Sequence, residues 1–226
     1  MSRPAIPDVI TIVGSAYLQP IADLLDKLLK RPVSGVGPAG KSLHENGYSA
    51  ALVVLLIALL ESYTARLRFV RNEEGVAGNL STPDLLAKYF PALPTRDELV
   101  DVFLVRNVLA HNHVWHLDVS DFEAVGSPTL ATPKALGFQT NKHYEQVVDV
   151  PARQTRTLRL NVSPTAVDRS DVRKVFDVVW RTLKFMNEQN FSHTPLAGCT
   201  VGFRGKHRQF EDLLKEITDE GVGHAP

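Results

Sequence analysis

An unbroken apolar run, Ala50 to Leu60 (AALVVLLIALL), constrains this chain more than any other stretch. Its eleven residues fall short of the roughly 18 to 20 needed to cross a bilayer, and Glu61, Arg66 and Arg68 follow it directly. The run therefore predicts a helix buried on all sides in a bundle, with no membrane role. The helix around it is expected from about Ser42 to Val70, as the spine of the fold.

Three other segments carry helical spacing. Ile21, Leu24, Leu25, Leu28 and Leu29 recur at three and four residues until the Arg31-Pro32 step stops them. A short helix is expected after Ser81, and a longer one after Thr95, with Glu98 completing a capping box and Leu99, Val102, Phe103, Val105, Leu109 and Ala110 facing the core. The last long helix runs from about Asp168 to Gln189 through Val172, Val175, Phe176, Val179, Leu183 and Met186.

Between the third and last long helices the period changes to two. Trp115, Leu117 and Val119 alternate with His116, Asp118 and Ser120, residues 126–142 read as a loop, and Tyr144 to Val150 is expected to pair with Thr155 to Val162 as a hairpin with Leu158, Leu160 and Val162 inward. The fold class is thus mainly α: a helical bundle with a small β-hairpin insertion, about residues 114–162, before the last long helix. One domain over residues 1–192 is expected, with 193–226 as a peripheral tail carrying a short helix and a surface segment from Arg204 to Arg208.

Composition narrows function by exclusion. Twenty-five Lys and Arg balance 25 Asp and Glu, so no global basic footprint drives non-specific binding to nucleic acid or membrane. The single cysteine, Cys199, excludes an intramolecular disulfide framework and any CxxC metal site, and makes a reducing compartment the default. The start, MSRPAIPDV, lacks the pattern of a signal peptide, so a cytoplasmic protein is expected.

Two short motifs bear on chemistry. Gly35 to Ser42 satisfies the letters GxxxxGK[ST] of a phosphate-binding loop. Such a loop follows a buried strand, whereas residues 21–31 read as a helix and Pro38 removes an N–H donor, so a connector is expected. A nucleotide hydrolase built on this loop would bind Mg-ATP through Lys41.

The second motif is Arg106-Asn107-Val108-Leu109-Ala110-His111, at the end of the third long helix. Chance would place an Arg-Asn-x-x-x-His here only about 0.02 times. The six residues resemble the R-[polar]-x-x-x-H signature of the HEPN superfamily, whose members are small helical bundles and often metal-independent endoribonucleases. In element order the resemblance covers about Ser42 to Asn190. It implies Arg106 and His111 as catalytic residues, an RNA substrate and a homodimer, with no cofactor and no metal. A toxin or phage-defence effector, possessing an antitoxin partner, is the role it suggests. One subset of the family carries a regulatory Tyr two residues after the His, where this chain has His113.

The chemistry can be stated without the family. Removing the proton of a 2′-OH turns it into an internal nucleophile that cleaves RNA through a 2′,3′-cyclic phosphate. Histidine titrates in the range required of the base, and a guanidinium stabilises the charge developing on the phosphorane. Residues five apart on a helix diverge by about 140°, so two motifs facing each other across a two-fold axis assemble a site more readily than one.

Asn107, His113 and Arg66 are expected to orient groups or to contact substrate. Arg66 with Arg68 and Arg71 would extend an RNA groove, and Glu61 would pair with one of these arginines or with Arg106. The trio His111, His113 and His116 lacks metal-ligand spacing. The competing reading is a non-catalytic HEPN-like module that binds nucleotide or protein, because Arg, Asn and His are also favourable residues at a helix C-terminus.

Overall fold

A computed structural model describes residues 13–33, 35, 42–70, 80–111, 117–118, 129–130, 146–149, 151–190 and 199–217. Its architecture is mainly helical: α1 (Leu18–Leu29), α2 (Leu43–Val70), α3 (Thr82–Tyr89), α4 (Arg96–His111), α5 (Arg169–Gln189) and α6 (Leu213–Glu216). Three two-stranded antiparallel ladders interrupt or follow them: β1 (Leu117–Asp118) with β2 (Thr129–Leu130), β3 (Val148–Asp149) with β4 (Gln154–Thr155), and β5 (Thr200–Phe203) with β6 (Lys206–Gln209).

The spine α2 packs against α1, α4 and α5. Leu52, Val53, Leu56, Ile57, Leu59 and Leu60 are wholly buried, while Ala50, Ala51, Val54, Leu55 and Ala58 are only half-buried. The expectation of burial on every side is corrected accordingly, and the reason is that the bundle covers α2 on fewer sides than its composition allows. The stretch His44–Arg68 is long and apolar enough to cross a membrane, contrary to the length argument from the run alone, with half of its most apolar window buried inside the fold. The core helix of a soluble protein meets the same test.

Local signals account for the starts of α3 and α5. Ser81 Oγ accepts from Asp84 N at 3.3 Å to cap α3. Asp168 caps α5 in a full capping box with Asp171. At α4 the expected box is not used: the Thr95 hydroxyl bonds Thr182 Oγ1 at 2.7 Å and Glu98 receives Arg181, so both side chains cross to α5. Gly14 lies so close to α2 that a Cβ would meet Leu59 O at 3.2 Å, and its N–H donates to Ser62 Oγ at 2.7 Å.

The insertion departs from expectation in two places. Thr129–Leu130, inside the expected loop, is a strand paired with Leu117–Asp118. Thr155 to Val162 is not a continuous strand. After β4 the chain turns through residues 156–158 and folds back, with Thr155 N donating to Leu160 O at 2.9 Å and Val162 N to Arg153 O at 3.0 Å. Leu160 and Val162 are buried nonetheless. Two buried aspartates impose this shape: Asp101 of α4 accepts from Thr157 N and Leu158 N at 3.0 and 2.7 Å, and Asp171 accepts from Asn161 N and Nδ2 at 3.0 and 2.9 Å. Backbone N–H groups satisfied by buried carboxylates compete with ladder pairing.

The tail is not peripheral. Val201, Phe203, Phe210, Leu213 and Ile217 belong to the core, and Phe210 packs on Phe176 and Trp180 at ring-centroid distances of 5.0 and 5.5 Å. Gln19 of α1 completes the edge of β5, donating to Gly202 O at 2.9 Å and accepting from Gly202 N at 2.8 Å. The alternation Val201, Phe203 carried the signal. The segment from Arg204 to Arg208 is exposed, as expected.

Candidate active site

Arg106 stands on α4 five residues before the helix's last residue, His111. Its guanidinium is oriented on three sides. Nη2 pairs with Glu61 Oε1 of α2, Nη1 donates to Asn107 Oδ1 at 2.9 Å, and the guanidinium carbon lies 5.8 Å from the centroid of the Phe103 ring. The pair is neither fully dry nor free in solvent: the Arg106 side chain is 24% exposed and that of Glu61 34%. A guanidinium has five N–H donors, and these two bonds leave others for an incoming anion.

The sequence logic of this corner is simple. Glu61 is the first polar residue after the apolar run, so the α2 backbone that fills the core delivers a carboxylate to the side of α4. Phe103 lies one turn before Arg106 and is itself core, so the ring forms a fixed floor under the cation. Phe103 was expected only as a core residue; its spacing of three from Arg106 was the signal for the second role.

The other expected site residues divide as follows. Asn107 is exposed, and its side-chain oxygen orients Arg106. The position of His111 as the last residue of α4 is described, but its side chain and the whole of His113 and His116 lie outside the described residues. Arg66 is half-buried on α2, within electrostatic reach of the Tyr63 phenol, and among the described residues no hydrogen bond or ion pair joins it to Arg106 or Glu61. Burial pushes that phenol up to about 12, with the charge of Cys199 adding and Arg66 opposing. Arg68 donates to Leu80 O at 2.7 Å, a structural tie to the start of α3 rather than an open cation. Arg71 lies outside the described residues. No group of His, Cys, Asp and Glu among the described residues is placed to hold a metal ion.

At the other motif, α1 precedes Gly35 where a phosphate-binding loop would have a strand. Residues 36–41 lie outside the described residues. The first turn of α2 already carries a carboxylate, Glu45, which is 2% exposed and 3.6 Å from Arg169 Nε. Comparison with protein-family models, curated proteins and solved structures found no match to this chain.

Proposed function

We propose that this protein is a metal-independent endoribonuclease of HEPN type, acting as a cytoplasmic homodimer. The observation that carries the reading is the Arg106 guanidinium, oriented by Glu61, Asn107 and Phe103 on the helix that ends at His111. In this reading His111 takes the proton from the 2′-OH, the oxygen attacks the adjacent phosphorus, and Arg106 stabilises the added negative charge on the phosphorane. The 5′-oxygen leaves with a proton from a second group, for which the partner copy's motif is the candidate, and the product is a 2′,3′-cyclic phosphate. Base and cation suffice for this reaction, so cleavage is expected to survive EDTA. A toxin or phage-defence effector held in check by an antitoxin is the role proposed for such an activity.

One observation favours the non-catalytic alternative, a nucleotide-binding or protein-interaction module. Glu61 neutralises Arg106 in the manner of an ion pair that merely ties two helices. Cleavage assays with the variants separate the two. Arg106→Ala and His111→Ala should each lower RNA cleavage by about 10² to 10⁴ with little loss of stability. Arg106→Lys retains the charge but not the planar fork, so it should lose most of the activity of a phosphate clamp and none of the stability of a tie. Alanine variants that melt several degrees lower yet cut RNA as fast as the parent would remove Arg106 and His111 from the chemistry, and a parent that cuts no RNA would leave the non-catalytic module standing.

A further inference from the structure

The clasp between β3 and the end of the insertion, residues 151–162, carries arginines at 153, 156 and 159 on a backbone held from beneath. Asp101 holds its middle from α4 and Asp171 its end from α5, both through main-chain N–H groups. Lys174 of α5 donates to Arg159 O at 3.1 Å. Arg153 and Arg159 have φ of 52° and 55°, a left-handed conformation that costs a side-chain-bearing residue energy and persists only where the surroundings enforce it. The clasp is therefore a rigid presenter of its side chains.

Its charges converge. Arg156 and Arg159 both act on the Asp149 carboxylate, and Arg159 Nη1 bonds it at 2.9 Å. Arg156 is exposed, the Arg159 side chain is 55% exposed, and Lys174 adds a third cation beside them. The nearby Asp177 is taken by Arg181 at 2.7 Å. On the outer side of the clasp Arg156 and Arg159 thus share one half-buried carboxylate, with Lys174 on the main chain beside them, while the Asp101 and Asp171 carboxylates are turned inward onto main-chain N–H groups. Asp101 lies five residues before Arg106 on the same helix, about 140° round its axis.

We infer that Arg156, Arg159 and Lys174 form a docking platform for the phosphate backbone of single-stranded RNA, with Asp149 as the internal anion that the RNA phosphates displace. The inference rests on the ribonuclease reading for the identity of the polyanion, and its geometry is independent of catalysis. Exposed fixed cations exchange condensed counterions for phosphates, so affinity should fall with salt by a slope of about 0.7 per phosphate neutralised on a single strand.

The test uses the full chain and a 2′-O-methyl RNA oligonucleotide, which can be bound but not cut, in fluorescence-anisotropy titrations over a range of salt. Arg156→Ala, Arg159→Gly and Lys174→Ala combined should weaken binding by about tenfold or more and flatten the salt slope by about 2. Arg159→Gly suits the positive φ at that position, so the backbone of the clasp is kept. Asp149→Asn should act in the opposite direction and tighten binding several-fold. Parent and variants that bind alike, or a parent that binds no RNA, would overturn the platform. Binding that follows this pattern in a protein unable to cut unmodified RNA would instead overturn the ribonuclease reading and leave the platform standing.

Discussion

Two Arg–Glu pairs, both anchored on α2, differ in what surrounds them. Near the start of the helix Glu45 and Arg169 are 2% and 12% exposed, and Arg169 also donates to Leu28 O, Arg31 O and Pro32 O at 2.9, 2.5 and 3.3 Å, closing the C-terminal end of α1. Towards its other end Glu61 and Arg106 are 34% and 24% exposed, with an aromatic ring and an amide for company. The first pair ties three helices together and is the drier of the two. The second retains access to water. A desolvated pair is costly to break because its survivor is stranded, whereas a half-exposed pair yields its partner to solvent or to a ligand at small cost. Residue types alone do not distinguish a tie from a site; the burial around them does.

The largest effect should follow from breaking the buried pair. Arg169→Ala leaves Glu45 without this partner and three carbonyls without this donor, so chemical denaturation should show a loss of about 3 to 5 kcal/mol. A loss below about 1 kcal/mol would erase the contrast between the two ends.

The same end carries a pH signature. Burial pushes the Asp171 carboxyl from 3.8 up to about 6, with the charge of Asp168 adding to the effect and the hydrogen bonds from Asn161 and Asp168 N opposing it. Because the folded-state value is the higher, the native chain holds this proton more tightly than the unfolded chain between about pH 4 and 6. The associated stability is fully present below the unfolded value and is lost as the pH rises through about 6. The shift corresponds to a term of the order of 3 kcal/mol. Asp171→Asn should remove it, and denaturation curves of parent and variant that run parallel between pH 4 and 7 would count against it.

A smaller effect is expected where α4 meets α5. Thr95→Val removes the donor to Thr182 Oγ1, which keeps its own bond to Val178 O at 2.7 Å, so the cost should be about 1 kcal/mol. A neutral result would mean that the two hydroxyls merely share a wall.

The smallest change in stability belongs to the exposed pair. Glu61→Gln should cost no more than about 1 kcal/mol, because solvent replaces the lost partner. If Arg106 is a phosphate clamp, the same variant should slow RNA cleavage by up to about 10²-fold through misplacement of the guanidinium. A stability loss rivalling that of Arg169→Ala would make the two pairs alike and the Glu61 corner a tie.

Helix by helix, the apolar spacing was a sound guide because it registers the face a helix must hide. Val172, Val175, Phe176, Val179, Leu183 and Met186 all proved to be buried, and the capping residues Ser81 and Asp168 act where local sequence places them. Thr95 and Glu98 fit the same local pattern and went elsewhere, since α5 offers them partners only once the bundle has assembled. The tail was misjudged for a related reason: a few alternating apolar residues, Val201, Phe203 and Phe210, gain a core only from the surfaces of α1 and α5.

At the candidate site the sequence by itself determined the chemistry on offer, an arginine, an asparagine and a histidine on one helix and a glutamate at the end of an apolar run. Only the tertiary structure decided that Glu61 takes Arg106 and that Asp101 and Asp171 bend residues 153–161 into a clasp rather than a strand. Periodicity reports which face of an element is apolar, and that is a property of neighbours in sequence. The partner of a charged side chain depends on which helix crosses nearby and how much water remains there, and that is a property of neighbours in space.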